Sequence, residues 1–269
     1  MEKTASSPPG EVAPQGPVRR SVTSPNNRVP LCHAARATSP RGEDALRVLA
    51  LALLPLALTG CISTGVAAIR YAEREADPLR QAVQAERDFA LLAQTSGQWT
   101  AFRATATADA TMFVPQPVNA QNWLAGRADP PRSVAWQPHR VYVSCDGKTA
   151  ATTGAAQWPG GSHGMFTTIW QKQANGEWKW VADHGGPVAT PLTPSAEVIQ
   201  IRADCDPGVV SEPPPLRSDQ GDATGGGASR DGSLRWAWVV RPNGALRFVV
   251  DVRQDGCITR VMDDGAGGA

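Results

Sequence analysis

Residues 163–185, HGMFTTIWQKQANGEWKWVADHG, decide the fold, because they combine a turn signal with two strand-like runs. The runs are rich in β-branched and aromatic residues, and they flank Asn175-Gly176, a dipeptide typical of tight hairpin turns. Three of the nine tryptophans of the chain lie in this stretch. The sequence therefore predicts a long β-hairpin that contributes the centre of the core.

The pattern also selects the register of this hairpin. A two-residue turn would place Lys172 opposite Lys179, and like charges that face each other destabilise a pair of strands. A three-residue turn with Gly176 in the left-handed region instead places Trp170 opposite Trp180. We expect the second register, in which the indole rings share one face.

Helical periodicity precedes the hairpin. Asp77-Pro78 is a typical helix start, and apolar residues then recur at helical spacing as far as Thr95. The other predicted elements are two shorter helices (98–107 and 119–127), an extended segment (109–114) and two strands (133–145 and 149–158). Helices followed by an antiparallel meander predict an α+β domain over residues 77–186.

The chain changes character after residue 186. We expect residues 187–269 to form a small C-terminal β extension. Its predicted parts are a strand (197–205), a mobile loop rich in Pro, Gly and Asp (206–233), and a meander of three strands (234–240, 246–252 and 257–262).

A targeting signal precedes these domains. Residues 46–60, LRVLALALLPLALTG, are too short for a membrane span, which needs ~20 apolar residues, and fit the ~7–15-residue core of a signal peptide. The last three residues of this run and the cysteine that follows, Leu58-Thr59-Gly60-Cys61, resemble the lipobox of bacterial lipoproteins. That resemblance implies an acylated Cys61 at the mature N-terminus, a tether over residues 61–76, and a membrane anchor. The alternative is a buried cysteine after an apolar helix.

The resemblance also implies a location. Ile62 rather than Asp follows the cysteine, which implies the periplasmic face of the outer membrane of a Gram-negative bacterium. Residues 1–45, rich in Pro, Ser, Arg and Ala, are expected to be a disordered extension, or to precede the true translation start. The formal net charge of +1 and the absence of a dense Lys/Arg stripe argue against a nucleic-acid partner.

Two segments carry a resemblance to a known family. Residues 85–127 and 164–185 resemble the SnoaL-like, DUF4440-type branch of the NTF2-like superfamily. The matching features are an acidic-aromatic pair (Glu86 and Phe89), a D-A-x-x-F-x-P step that begins at Asp109, and a tryptophan-rich hairpin that ends at His184. This resemblance implies helices packed in a curved antiparallel sheet that forms a cone with an apolar cavity. The superfamily hosts isomerases and dehydratases as well as non-catalytic binders.

Candidate site residues follow from the strand pattern. His184 shares strand parity with Trp180 and is expected to face inward, opposite Phe166, as a candidate catalytic residue with Glu86 or His163 as its partner. Asp183 is expected on the reverse face. The aromatic residues fit either a pocket or a plain core. The pocket-lining candidates are Phe89, Trp99, Phe102, Phe113, Trp123, Trp136, Phe166, Trp170, Trp180 and His184.

Cysteine usage suggests a disulfide in an oxidising compartment. Cys205 and Cys257 both belong to the C-terminal extension, and a bridge between them is one possible pairing; Cys145 would then be free. No Cys or His pair has the spacing of a metal site, and no cofactor motif is present.

These observations favour a lipid-anchored envelope protein whose NTF2-like domain binds a small apolar ligand or a protein partner without catalysis. Ketosteroid-isomerase relatives carry a proton-shuttling Asp after the strand that corresponds to 111–115, and this chain has no acid there. The alternatives are an isomerase, dehydratase or hydrolase that uses His184, and a structural envelope protein. A homodimer through the sheet face is also expected.

Overall fold

The computed structural model describes residues 76–193, 197–208 and 211–265. The helices are α1 (Pro78–Ser96), α2 (Gln98–Thr105) and α3 (Ala120–Leu124). The strands are β1 (Ala106–Phe113), β2 (Pro117–Asn119), β3 (Ala135–Val143), β4 (Thr149–Gln157), β5 (His163–Lys172), β6 (Trp178–Pro187), β7 (Ile199–Arg202), β8 (Ala223–Ala228), β9 (Leu234–Val240), β10 (Leu246–Gln254) and β11 (Cys257–Asp264). The predicted leader (46–60) and the predicted acylation residue Cys61 lie outside the described residues.

Helix α1 has the predicted start and length. The side chain of Asp77 accepts a hydrogen bond from the backbone N–H of Leu79 at 3.1 Å, and Pro78 occupies the first helical position. One stripe of α1 is buried against the sheet, and it comprises Ala82, Val83, Glu86, Phe89 and Ala93. Of the helices in the described part of the chain, none is long and apolar enough to span a membrane.

Helix α2 begins at a glycine and takes its cap from a distant residue. The carboxylate of Asp129 accepts hydrogen bonds from the backbone N–H of Thr100 at 2.9 Å and from its hydroxyl at 2.6 Å. Gly97 has a φ of 107°, and a Cβ built on it would lie 2.3 Å from Cγ of Asp129. Glycine at this position therefore leaves room for the cap.

The main sheet has seven strands in the order β2-β1-β6-β5-β4-β3-β7. The expectation of a purely antiparallel sheet is wrong, because β1 pairs with β6 and β3 pairs with β7 in parallel. Parallel neighbours need a crossover connection. The meander from β3 to β6 includes the crossover connection between β1 and β6. The segment after β6 then brings β7 to the edge of the sheet next to β3. The predicted extension thus contributes β7 to the main sheet.

The central hairpin has the predicted register at its turn. Trp170 lies opposite Trp180, and Lys172 lies opposite Trp178, so the three-residue turn is confirmed. Both paired indoles are buried, with exposed fractions of 1% and 0%. They pack with α1, α2 and the inner residues of β3 in the first of two apolar cores.

A β-bulge then changes the pairing of the same two strands. Val181 is an extra residue on β6, so the next pair after Trp170–Trp180 is Ile169–Ala182. Phe166 consequently lies opposite Gly185, and the expectation that it faces His184 is wrong. On β6, each side chain after Val181 therefore points to the face opposite the one that simple alternation predicts.

A second sheet covers the face of the main sheet that points away from the helices. Its four strands run in the order β11-β10-β9-β8. Apolar residues of both sheets form the second core, and they include Tyr142, Ala151, Ile169 and Ala182 from the main sheet with Leu234, Phe248, Val250 and Val252 from the second. This face of the main sheet is thus covered by the chain's own C-terminal sheet.

The segment 206–233 is not the unstructured loop that its composition suggests. Residues 223–228, ATGGGA, form β8 and pair with β9. A Cβ on Gly225 would lie 2.2 Å from the ring of Trp238, and one on Gly227 would lie 2.4 Å from the ring of Trp236. The indoles occupy the space that side chains on β8 would need, which is why a glycine run forms a strand here.

The described disulfide joins Cys145 to Cys205, with a Cα–Cα distance of 5.1 Å. The suggested Cys205–Cys257 pairing is therefore wrong, and Cys145 is not free. Because β7 pairs with β3, the residues that follow these two strands are brought side by side. The bridge ties the start of the C-terminal region to the β3–β4 turn.

Candidate functional site

The bulge at Val181 turns Asp183 toward the helices. Asp183 lies opposite Thr168, which shares its face of β5 with Trp170. The hydroxyl of Thr168 donates a hydrogen bond to Oδ2 of Asp183 at 2.8 Å. The prediction that Asp183 lies on the reverse face is therefore wrong, because strand alternation does not continue through a bulge.

Asp183 lines a cavity of about 240 Å³ between the helices and one end of the main sheet. Its wall is mainly aromatic and sulfur-containing, and it comprises Phe89, Trp99, Phe102, Met112, Phe113, Trp136, Trp158, Met165 and Phe166, with Gln98, Val114, Val134, Ala156, Asp183, His184 and Gly185. Asp183 is half-buried, so part of its surface remains accessible. The cavity thus combines a large aromatic surface with a reachable carboxyl group.

The aromatic rings of the wall hold one another in edge-to-face contacts. The ring of Phe89 lies 4.8 Å from that of Phe102 and 4.9 Å from that of Trp136. Trp99 and Phe102 are 5.6 Å apart. Such pairs are favourable beyond the area that they bury, and they fix the orientation of each ring. We conclude that the wall is preorganised rather than loosely packed.

A second carboxyl group lies behind this wall. Glu86 of α1 is fully buried. It accepts hydrogen bonds from the indole N–H of Trp136 at 2.7 Å and of Trp170 at 2.9 Å, and a short one from the hydroxyl of Thr152. An indole N–H can only donate, so Glu86 is the acceptor that these buried rings require.

Burial changes the proton affinity of both acids. It raises the pKa of Asp183 to about 7, a shift that the hydrogen bond from Thr168 opposes and the nearby charge of Glu86 increases. Burial also raises the pKa of Glu86, although the hydrogen bonds from Thr152, Trp170 and Trp136 act to lower it. Asp183 can therefore gain or lose a proton near neutral pH, which suits it to bind a ligand or to transfer a proton.

His184 also lines the cavity, but its ring nitrogen is bound on the other side of the sheet. Nε2 lies 3.0 Å from Oδ2 of Asp264, the last residue of β11. The hydroxyl of Thr167 donates to the same oxygen at 2.9 Å. The His184 ring packs against Phe248 at 4.8 Å. This histidine joins the two sheets.

The expected partners of His184 are elsewhere. Glu86 contacts indoles and a threonine instead, and His163 is an exposed residue at the start of β5. The expected constellation of His184 with Glu86 or His163 is therefore not formed, because the bulge places His184 and Glu86 on opposite faces of the sheet. Within the described ranges, no three His, Cys, Asp or Glu side chains lie close enough together to hold a metal ion.

Seven of the ten pocket-lining candidates border the cavity: Phe89, Trp99, Phe102, Phe113, Trp136, Phe166 and His184. Trp170 and Trp180 are packed in the core, and the ring of Trp123 lies under the guanidinium of Arg127 at 3.6 Å. Sequence reasoning assigned Asp183 to the wrong face and missed Trp158 and the two methionines. No local signal in β6 marks the bulge that turns Asp183 inward, because the bulge is defined by the pairing with β5.

Comparisons with known proteins give matches at the level of structure. No family model matches the chain, and no curated protein matches it. A proposed ketosteroid isomerase from Parabacteroides distasonis is 15% identical over 40% of this chain and 86% of its own length, with a TM-score of 0.33. A proposed ketosteroid isomerase from Shewanella frigidimarina is 18% identical over 38% of this chain and 92% of its own, with a TM-score of 0.30.

An NTF2-like protein of unknown function from Shewanella baltica is also similar to this chain. It is 14% identical over 45% of this chain and 97% of its own length, with a TM-score of 0.28. The activities in these descriptions belong to those proteins. The functional assignment of this chain rests on its own cavity.

Proposed function

We propose that this protein is a binding protein of NTF2-like architecture that takes a small, largely apolar ligand into the aromatic cavity. The observation that carries the proposal is the cavity itself, a preorganised aromatic wall that contains the reachable carboxyl group of Asp183. Apolar pockets with a few placed polar groups are the usual form of small-molecule sites. The wall supplies affinity, and Asp183 orients the one polar group of the ligand.

The helix order, the apolar residues and the hairpin of 77–186 support the NTF2-like assignment. Three helices lie against one face of a sheet whose central strands are β5 and β6. The cavity opens between those helices and the sheet. This arrangement is what the sequence resemblance implies.

A cavity-filling variant tests the binding proposal. Ala156 lines the cavity, whereas Ala155 lies on the opposite face of the same strand. Small molecules that co-purify with the full chain are identified by mass spectrometry for wild type, Ala156→Trp and Ala155→Leu. We expect Ala156→Trp to lose a compound that wild type and Ala155→Leu retain. Identical extracts from all three proteins would refute the proposal.

A catalytic role for Asp183 is the second candidate. A carboxyl group with a pKa of about 7 is matched to general acid-base catalysis at neutral pH. The chemistry would be proton abstraction next to a carbonyl group of a bound apolar substrate. Exchange of such protons of 2-tetralone in D2O, followed by NMR, tests this role. Equal exchange rates with wild type and Asp183→Asn would exclude it.

We also propose that Cys61 anchors the protein to the cell envelope. The support is the sequence step Leu58-Thr59-Gly60-Cys61 after the apolar run 46–60. Several acyl chains together anchor a protein firmly, where one chain is marginal. Metabolic labelling with a fatty acid should mark wild type and leave Cys61→Ala unmarked. Unlabelled wild type would refute the anchor.

A further inference from the structure

We propose that the ligand of the aromatic cavity is an organic cation, such as a substituted ammonium group on a flat apolar body. This inference rests on the proposed binding function and adds the charge of the ligand to it. Three features of the site support a cation: the composition of the wall, the sign of its charged groups, and the hydrogen bonding of one wall indole.

The wall of the cavity is mainly aromatic. Within the described ranges, seven phenylalanine and tryptophan side chains border the cavity: Phe89, Trp99, Phe102, Phe113, Trp136, Trp158 and Phe166. The face of an aromatic ring is electron-rich and attracts a cation within about 6 Å, most strongly for tryptophan. Cages of this kind are the known means by which proteins recognise quaternary ammonium groups.

The charged groups at the cavity favour a positive ligand. Among the residues that the structure describes, no lysine or arginine borders the cavity. Asp183 reaches it directly, and Glu86 lies behind Trp136. The other titratable neighbour is His184, whose Nε2 is engaged by Asp264. A cation would therefore meet the carboxylate of Asp183 at the wall and the electron-rich oxygens of the Glu86 carboxyl group beyond it, while an anion would be repelled by Asp183.

Glu86 also strengthens the wall itself. It accepts the N–H of Trp136, a ring that borders the cavity, at 2.7 Å. Donation of that hydrogen to a carboxyl oxygen shifts electron density into the indole, because hydrogen-bonded groups polarise one another. An indole that is richer in electrons holds a cation more strongly. The buried acid thus acts on the ligand through the ring.

The sign of the pH dependence separates a cation from a neutral ligand. The full chain is titrated by calorimetry with phenyltrimethylammonium, with its uncharged carbon analogue tert-butylbenzene, and with the neutral acceptor acetophenone. Ionised Asp183 attracts the cation, whereas protonated Asp183 donates a hydrogen bond to the ketone. With a pKa of about 7, the affinity for the cation should rise about tenfold from pH 6 to pH 8, and that for acetophenone should fall.

We expect phenyltrimethylammonium to bind at least tenfold more tightly than tert-butylbenzene at pH 8. Asp183→Asn keeps the shape of the side chain and can still accept the hydrogen bond of Thr168, so its fold should persist. It should reduce this preference, because the aromatic wall remains, and it should abolish the pH trend. Asp109→Asn is the control, because Asp109 is an exposed acid on β1. Phe166→Leu should weaken the binding of the cation more than the binding of its uncharged carbon analogue.

Two results would overturn the inference in different ways. Equal binding of the cation and tert-butylbenzene, or tighter binding of acetophenone with affinity that falls as pH rises, would refute a cationic ligand and leave the binding function intact. If none of the three probes binds to wild type, and Ala156→Trp changes nothing, then both the inference and the proposed function fail.

Discussion

The hydroxyl of Thr168 donates a hydrogen bond to the carboxyl of Asp183 at 2.8 Å, across the two central strands of the main sheet. This contact exists because one extra residue, Val181, shifts the pairing between β5 and β6. The shift turns the Asp183 side chain toward the aromatic cavity and the His184 ring nitrogen toward the second sheet. The candidate site therefore depends on a single bulge.

Asp183 should make stability depend on pH. Its folded-state pKa of about 7 exceeds the value of ~3.9 for an unfolded chain, so the folded state holds a proton that the unfolded state releases. The contribution to stability is complete below pH ~4 and is lost as pH rises to 7. Relative to Asp183→Asn, wild type should lose on the order of 2 kcal/mol between pH 5 and pH 8.

Urea unfolding of both proteins at the two pH values measures this difference. Asp109→Asn, which alters an exposed acid, should follow wild type. Parallel pH curves for wild type and Asp183→Asn would show that the folded state does not raise the pKa of this group.

Replacement of Glu86 by glutamine should destabilise the protein. The glutamine amide has one oxygen, whereas Glu86 accepts hydrogen bonds on both of its oxygens from Trp136, Trp170 and Thr152. At least one buried indole N–H would then face an NH2 group, which costs about 2 kcal/mol. Denaturant titration measures the loss, and Glu177→Gln at the exposed hairpin turn is the matched control. A stability unchanged by Glu86→Gln would indicate that Glu86 is already protonated in the folded protein.

Alanine should be tolerated far better at Gly126 than at Gly97. Both glycines have positive φ, 67° and 107° respectively, so both substitutions carry a backbone cost, which is larger at Gly97 because its ψ of 147° lies near a region that is essentially restricted to glycine. A Cβ at Gly126 meets nothing within 4 Å, whereas one at Gly97 overlaps the carboxylate of Asp129. Gly97→Ala should therefore also disrupt the cap of α2. Equal midpoints of thermal unfolding for the two variants would contradict this account of the cap.

The disulfide should join Cys145 to Cys205 in the folded protein. Proteolysis without reductant, followed by mass spectrometry, should yield a peptide that contains these two residues. A Cys205–Cys257 peptide would contradict the structure. Because the bridge closes a loop with a sequence separation of 60 residues, its removal by Cys145→Ser with Cys205→Ser should cost about 4 kcal/mol in denaturant titrations.

The sequence was sufficient to predict local structure where pattern and turn chemistry agree. Asp77-Pro78 marks the start of α1, and Asn175-Gly176 marks the three-residue turn of the central hairpin. Pro242-Asn243-Gly244 is likewise typical of a three-residue turn, and this turn aligns Trp238 with Phe248. In each case the signal lies within a few residues, so a reading of the neighbouring side chains suffices.

The sequence could not predict features that depend on distant parts of the chain. The bulge at Val181 leaves the apolar alternation of β6 intact, and its presence is visible in the pairing with β5 alone. Strand β8 has low strand propensity, and it forms because Trp236 and Trp238 lie over its glycines. The partner of Cys205 depends on the parallel pairing of β7 with β3, which no local motif indicates.

Because the second sheet belongs to the same polypeptide, the stability of this protein should not depend on its concentration. A domain that buries an apolar sheet face against another subunit loses stability on dilution, by mass action. Here that face is buried by strands of the same polypeptide, and Cys205 ties their leading segment to the β3–β4 turn. The midpoint of unfolding should therefore be the same in dilute and concentrated solution, and a fragment cut after residue 186 should aggregate where the full chain does not.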